Sequence, residues 1–209
     1  MSAERLSIAV PRGALFGEAL DLLDRLGVDT AEVRANDRKL LFAAAGIVTM
    51  RPSDVPTYVE HGSADLGITG KDVLLEQEQR DVYELLDLGF GRCRMVVAAR
   101  EGGDPVADAL RRLGRVRIAT KYPRVAQRHF AATGRQAEIV EVKGSVELAP
   151  LTGLVDGIVD LTATGGTLRE NQLRVVEEIG VSTARLIANP VAHKLKAERI
   201  DALVERIRS

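Results

Sequence analysis

The chain has 209 residues, with 29 Lys and Arg against 30 Asp and Glu. That is enough for one large domain or two small lobes around a sizeable core, without the bulk positive charge of a nucleic-acid binder. A single cysteine, Cys93, excludes an internal disulfide and a cysteine-rich metal site, and no stretch approaches the roughly 18 apolar residues of a membrane span. The start, M-S-A-E-R-L-S-I-A-V, has neither a basic leader region nor a long apolar one. The expectation is a cytoplasmic protein that meets small molecules or other proteins rather than nucleic acid or membrane.

Leu6 to Val10 predicts a buried strand broken by Pro11-Arg12-Gly13, and Leu15 to Leu26 carries apolar residues at helical spacing until Gly27. Arg12 lies in the turn after the strand, where α/β folds present ligand-binding groups, although a solvated loop arginine would read the same way. Leu40 to Ala45 and Ile47 to Met50 predict a hairpin with Arg38 and Lys39 at one mouth. Ser53 is placed to cap a helix through Glu60, whose first turn suits the prolines. Ala64 to Gly70 predicts another strand running into a glycine turn at Thr69-Gly70, then a helix from Asp72 to Gln77. Gly70-Lys71 does not make a Walker A loop, because Asp65 stands where its first glycine belongs and Asp72 replaces its Ser or Thr.

Val82 to Leu86 and Arg94 to Ala99 predict strands, and Glu101-Gly102-Gly103-Asp104-Pro105 is the sharpest break in composition. It predicts a lobe boundary: residues 1–100 completed by about 172–209 as one lobe, and about 101–171 as the other. Within the second come a helix from Val106 to Leu113, a strand from Val116 to Thr120 and a helix from Tyr122 to Thr133. A strand from Ile139 to Val142 and a short helix from Gly144-Ser145 to Leu151 follow. Further strands are predicted over Leu173 to Ile179 and Thr183 to Asn189, and Pro190 opens one long helix. No repeat at a fixed period stands out. The pattern is α/β in two lobes. A cleft between lobes would gather Arg12, Arg38, Thr69-Gly70 and the loop described next.

Val155 to Leu168 reads V-D-G-I-V-D-L-T-A-T-G-G-T-L and packs a strand, an acid, a glycine turn and a helix start into one stretch. Glycines let backbone N–H groups approach an anion, and a helix start favours negative charge. Thr162, Thr164 and Thr167 add hydroxyls. Asp160 would repel a phosphate, but a carboxylate suits the diol of a ribose. Strand, acid and T-G-x-T turn together read as a site for a ribose 5-phosphate. A buried strand with a tight connection would carry the same letters, so the rest of the chain must decide.

Glu147, Gly153, Asp156, Asp160, Leu161, Thr164, Gly165, Thr167 and Leu168 follow, in order and spacing, the signature E, G, D, D-L, T-G-x-T-L. With these residues the chain resembles the short form of ATP phosphoribosyltransferase, the enzyme that starts histidine biosynthesis. The early P-R-G turn, N-D-R-K-L, R-P-S-D-V-P-T-Y-V-E-H-G, A-D-L-G-I-T-G-K-D and R-I-A-T-K-Y-P extend the resemblance through essentially the whole chain. One departure concerns the first turn, commonly K-G-R in the family and Arg12-Gly13-Ala14 here. Arg12 can stand in for the lysine, whereas Ala14 cannot replace the arginine, which leaves the pyrophosphate to Arg12 and Arg38.

The resemblance implies a two-lobed α/β fold similar to type II periplasmic binding proteins, with the active site in the interlobe cleft. It implies transfer of the 5-phosphoribosyl group of phosphoribosyl pyrophosphate to N1 of ATP, giving phosphoribosyl-ATP and pyrophosphate, with Mg2+ carried on the pyrophosphate. Because the chain ends at Ser209, the resemblance also implies no C-terminal regulatory domain. A histidyl-tRNA-synthetase-like regulatory subunit is then expected, with this chain as a homodimer within a hetero-oligomer. Arg12, Arg38 and Asp160 are expected to be catalytic. Asp156, Leu161, Thr162, Ala163, Thr164, Gly165, Gly166, Thr167, Gly13, Thr69 and Gly70 are expected to bind substrate, with Arg51, Asp72 and Tyr122 contributing to the adenine pocket.

Three rivals are weighed against this reading. A phosphoribosyltransferase for orotate or a purine would share the T-G-x-T loop but usually has two adjacent acids before it, where Val159 precedes Asp160. A non-catalytic ligand-binding module would share the architecture but would normally carry a secretion signal. An inactive paralogue is hinted at by Ala14 alone. His61, His129 and His193 lie on predicted helices or their ends, and no Ser-His-Asp or Cys-His arrangement is apparent.

Overall fold

The structure is a computed structural model that describes residues 5–209; the first four residues of the N-terminal stretch read above lie outside the described residues. The chain divides into two compact units, one that runs to Gly91 and resumes at Thr183, and one from Arg92 to Ser182. In the first, β1 (Ile8–Pro11) leads into α1 (Phe16–Arg25), the short α2 (Ala31–Arg34), β2 (Leu41–Phe42) and β3 (Ile47–Met50). There follow α3 (Val55–Glu60), β4 (Leu66–Gly70), α4 (Lys71–Glu76) and β5 (Tyr83–Asp87). The second unit holds β6 (Cys93–Arg100), α5 (Pro105–Leu113), β7 (Arg115–Thr120), α6 (Pro123–Ala132) and β8 (Gln136–Glu141). It continues with α7 (Leu148–Leu151), β9 (Gly157–Thr162), α8 (Gly166–Glu170) and β10 (Leu173–Ser182), after which β11 (Ala184–Ala188), α9 (Pro190–Leu195) and α10 (Ala197–Arg208) return to the first unit.

The first sheet has the order β2-β3-β1-β4-β11-β5, with β1, β3 and β4 parallel and β2 and β11 antiparallel to their neighbours. Alternation along β1 sends Ile8 and Val10 to the face covered by Leu20 and Leu23 of α1 and Ile200 of α10. Ala9 faces the other side with Val55 and Val59 of α3. The second sheet has the order β10-β6-β9-β7-β8, with β7, β8 and β9 parallel and β6 antiparallel to β9. Val159 packs with Val106 and Phe130 of α5 and α6, and Ile158 packs on the opposite face with Val146 and Leu168. Strands covered on both faces read as unbroken apolar runs, which is why they stood out in the sequence.

Two features differ from the sequence expectation in ways that matter. The glycine-rich break at 101–105 lies inside the second unit, between β6 and α5. β6 and β10 pair with each other, and β6 pairs with β9, so both strands belong to the second sheet. The division therefore falls at Gly91/Arg92 and Ser182/Thr183 rather than near residues 100 and 172. Composition marks exposed turns, and strand pairing decides membership of a unit.

The single long helix expected from Pro190 is two helices, interrupted at Lys196 (φ −123°, ψ 29°). The Lys196 Nζ turns back to Asp65 and sits 2.9 and 2.8 Å from its two carboxylate oxygens. Asn189 caps α9, its Oδ1 accepting the Ala192 N–H at 2.8 Å. Ser53 does not cap α3. Asp54 occupies that position without a side-chain cap, and the Ser53 hydroxyl donates to Asp54 Oδ1 at 3.3 Å. The four-residue α2, anchored by buried Val33, was not expected from the sequence.

Candidate active site

In the second unit, β7 and β9 run parallel with Thr120 opposite Val159, and β8 ends beside β7 with Glu141 opposite Thr120. The turns after these strands therefore open at one edge of the sheet, where α/β proteins bind ligands. That edge gathers Lys121, Tyr122, Lys143 and the stretch from Asp160 to Thr167. Asp160 is 8% exposed, and its Oδ1 accepts the Leu161 N–H at 2.8 Å, which fixes the carboxylate against the strand end. Thr162 is also buried, and its Oγ1 accepts the Gly165 N–H at 2.9 Å. Its hydroxyl thus braces the loop from inside rather than standing on the loop surface.

Gly165 holds φ +75°, a conformation that disfavours any side chain. Ala163, Thr164 and Thr167 are exposed, and the Gly166 N–H reaches Thr164 Oγ1 at 3.4 Å. Among the described residues, the amides of Thr167 and Leu168 find no acceptor. They are the donors this loop offers an anion. α8 is five residues long, so the macrodipole expected of a helix start contributes little and local N–H groups carry the attraction.

Tyr122, half-buried at the start of α6, donates its N–H to Thr120 Oγ1 at 2.8 Å. Asp156 is not with this group. It precedes β9 at the opposite end, about 13 Å of strand from Asp160, and its Oδ2 accepts the Arg117 N–H at 2.8 Å. Its role in the structure is to join β9 to β7. Lys121 and Lys143, which the sequence reading did not single out, are exposed and make no ion pair with another described residue. Their signal was position, each directly or almost directly following a parallel strand that ends at this edge.

In the first unit, Pro11 pairs with Met50 and β4 runs parallel beside β1, so Arg12-Gly13, Arg51 and Thr69-Gly70 share one sheet edge. Arg12 is already engaged. Its Nε donates to Thr49 Oγ1 at 3.0 Å and its Nη2 to the carbonyls of Asn36 and Lys39 at 3.2 and 2.7 Å, with the guanidinium over the Phe16 ring. Arg12 thereby frames the loop that carries Arg38, and among the described residues its two Nη1 donors are left over. Arg38 and Arg51 are exposed and form no ion pair with another described residue.

Thr69 is fully buried and donates to the Pro52 carbonyl at 3.1 Å. A Cβ on Gly70 would lie 2.1 Å from Asp72 Oδ1, so a side chain there would force the buried Asp72 carboxylate to move. Lys71 and Arg185 add charge that the sequence reading passed over. Both are paired, Lys71 with Glu84 at 2.6 Å and Arg185 with Glu84 and Asp87 at 2.8 and 2.6 Å. A cavity of about 900 Å³ lined by Arg5, Leu26, Ala44, Arg199 and Arg206 lies at the amino-terminal end of β1, away from these residues.

The model of the family ATP phosphoribosyltransferase, HisG, matches residues 51–209. ATP phosphoribosyltransferases of Rubrobacter xylanophilus and Sorangium cellulosum are 54% and 49% identical, covering 97% and 98% of this chain and 94% and 95% of theirs. A chain from the ATP phosphoribosyl transferase (HisG:HisZ) complex of Thermotoga maritima matches with TM-score 0.80 and 38% identity, over 98% of this chain and 97% of that one. The Bordetella pertussis BvgS VFT2 domain, 16% identical, matches with TM-score 0.63 over 98% of this chain and 87% of its own, and shows the fold alone. The α/β fold of the periplasmic-binding-protein kind is therefore shared beyond the enzyme family. Among the described residues no helix is long and apolar enough to cross a membrane. The Asp160–Thr167 loop lies within the matched span, and the chain belongs to the ATP phosphoribosyltransferase family.

Proposed function

We propose that the chain transfers the 5-phosphoribosyl group of phosphoribosyl pyrophosphate to N1 of ATP, releasing pyrophosphate in the first step of histidine biosynthesis. The observation that carries the reading is a buried carboxylate, Asp160, followed by a loop with exposed hydroxyls on Thr164 and Thr167 and unclaimed amides at Thr167 and Leu168. The acid accepts from ribose hydroxyls, and the loop binds the 5-phosphate.

A ring nitrogen of adenine is already a nucleophile, so the reaction needs charge management more than a general base. The ribose becomes cation-like as a polyanion departs, and fixed charges aimed at those developing charges lower the barrier. Asp160 opposes the positive sugar. Arg38 and Arg51, with no ion pair among the described residues, and Lys121 and Lys143 supply cations for the phosphates. Magnesium enters with the pyrophosphate as part of that substrate and neutralises the leaving group. Among the described residues, no group of three or more His, Cys, Asp or Glu side chains is placed to hold a metal ion.

We further infer a HisZ-like regulatory partner resembling histidyl-tRNA synthetase, with this chain dimeric inside a hetero-oligomer, and a cytoplasmic location. The likeness to a chain described within a HisG:HisZ complex supports the partner. Pyrophosphate release from phosphoribosyl pyrophosphate, measured with ATP, GTP, adenine or orotate as acceptor, tests the substrate assignment. Release is expected with ATP; release with orotate or adenine instead would transfer the chain to another base. Arg38→Ala is expected to lower kcat about 100-fold with the KM for ATP nearly unchanged, the scale of removing one preorganised transition-state donor. Steady-state kinetics checks this, and a normal kcat would make Arg38 a solvated charge.

A further inference from the structure

The loop between β9 and α8 contains one peptide gripped at both ends. The peptide joining Thr164 to Gly165 presents its C=O and N–H in opposite directions, as any planar trans peptide does. Thr162 Oγ1 accepts the N–H at 2.9 Å, and Arg169 Nη1, projecting from α8, donates to the C=O at 3.0 Å. Arg169 is tied to the same loop a second time, its backbone N–H donating to the Gly165 carbonyl at 3.1 Å. The flank of Gly165 is also closed by this side chain, since a Cβ there would lie 3.0 Å from Arg169 Nη1.

We propose that Thr162 and Arg169 are positioning residues that lock this peptide and so preorganise the loop for the phosphate of its substrate. Gly165 gives the lock its purpose. Glycine populates both signs of φ, so the peptide before it can reverse with little steric penalty. Reversal would turn the Gly165 N–H towards the Arg169 guanidinium, a donor facing a donor, and would shift Thr164, whose hydroxyl accepts the Gly166 N–H. Arg169 disfavours that state, and a loop already set in one conformation has less ordering to do when the anion arrives. The inference rests on the reading of this loop as the ribose 5-phosphate site. It differs from that reading in what it assigns to the guanidinium, a carbonyl of its own chain rather than the ligand.

The test compares the full-length wild type with Arg169→Met and Arg169→Lys by two independent measurements. Hydrogen exchange at the Gly165 amide, without ligand, reads the lock itself. Calorimetry with magnesium phosphoribosyl pyrophosphate, and separately with ATP, reads its consequence. Arg169→Met is expected to speed Gly165 exchange about tenfold and weaken phosphoribosyl pyrophosphate about tenfold, or about 1.4 kcal/mol, with ATP affinity and melting temperature held. Arg169→Lys, which keeps a donor, is expected to recover part of both. Unchanged exchange overturns the lock, whether phosphoribosyl pyrophosphate is weakened, as for a direct phosphate contact, or not, as for a solvated arginine. Equal losses for both ligands with a lowered melting temperature overturn it as general damage. A wild type that ignores phosphoribosyl pyrophosphate would defeat the ribose-phosphate reading, while the exchange comparison would still decide the lock.

Discussion

Asp160→Ala is expected to lower kcat/KM for phosphoribosyl pyrophosphate about a thousandfold, or about 4 kcal/mol of transition-state stabilisation. The residue is 8% exposed in the C-terminal half of β9, with one oxygen already oriented by the Leu161 N–H. A carboxylate held this way cannot relax when the ribose hydroxyls arrive, and low-dielectric surroundings strengthen what it does to them. Hydrogen bonds to a charged acceptor contribute about 1.5–3 kcal/mol each. Attraction to the cation-like sugar adds a part that appears only in the transition state. The two parts can be separated. Asp160→Asn keeps acceptor oxygen and shape but drops the charge, so its loss is expected to fall more on kcat, whereas alanine loses both. Steady-state kinetics together with calorimetric affinity reads the split, and a kcat/KM within threefold of wild type for alanine would remove Asp160 from the site.

The largest effect on stability is expected far from that edge. Asp65→Ala should destabilise the first unit by about 3 kcal/mol, the scale of breaking a buried ion pair from one side. Asp65 Oδ2 accepts the Ser7 N–H at 2.7 Å and the Ser7 hydroxyl at 2.9 Å, and both carboxylate oxygens meet the Lys196 ammonium. One side chain thus ties the entry to β1, the entry to β4 and the joint between α9 and α10. Its loss strands a half-buried ammonium and a backbone donor. For a chain of this length the melting temperature should fall by about 6–12 °C.

The same group makes a pH prediction. Burial pushes the Asp65 carboxyl up, but the Lys196 ammonium and the Ser7 donors outweigh it and hold the group below its ordinary 3.8. A carboxylate depressed in the folded state stabilises above its unfolded pKa and stops doing so as pH falls through the folded one. The gap in melting temperature between wild type and Asp65→Ala should therefore be full at pH 6 and narrow as the pH drops below about 4. A gap that widened in acid would contradict the assignment.

Much of this architecture was legible because strands covered on both faces leave apolar runs, and glycine turns punctuate them. Ile8-Ala9-Val10, Leu66 to Gly70 and Gly157 to Thr162 all emerged where the residues indicated. The unit boundary was not legible in the same way. Gly89 and Gly91 before the first crossing are less conspicuous than the Gly102-Gly103 turn, which merely links β6 to α5, and the Ser182/Thr183 crossing has neither glycine nor proline beside it. The break at Lys196 also had no local signal, since neither glycine nor proline is present and the group its side chain meets is a carboxylate 131 residues earlier in the chain.

At the site, the residue types were readable and their partners were not. Thr162 and Thr164 look equivalent in the sequence, yet one hydroxyl is buried under the loop and the other is exposed. Arg12 and Arg38 were both natural candidates for a pyrophosphate, but only tertiary contact could show that Arg12 frames the 36–39 loop. Asp156 and Asp160 share one motif, yet Asp156 precedes β9 while Asp160 lies in its C-terminal half. Motif spacing fixes distance along a chain. It does not say which end of a strand a ligand meets.

The most direct test of the central claim is mass spectrometry of the product formed from ATP, phosphoribosyl pyrophosphate and magnesium by the wild-type chain and by Asp160→Ala, each with and without a HisZ-like partner. The account predicts the mass of phosphoribosyl-ATP with the wild type in at least one of its two conditions, and a near-complete loss in the variant. A folded wild type that binds its substrates but yields no such product with or without the partner, or an Asp160→Ala variant that makes it at the wild-type rate, would contradict it.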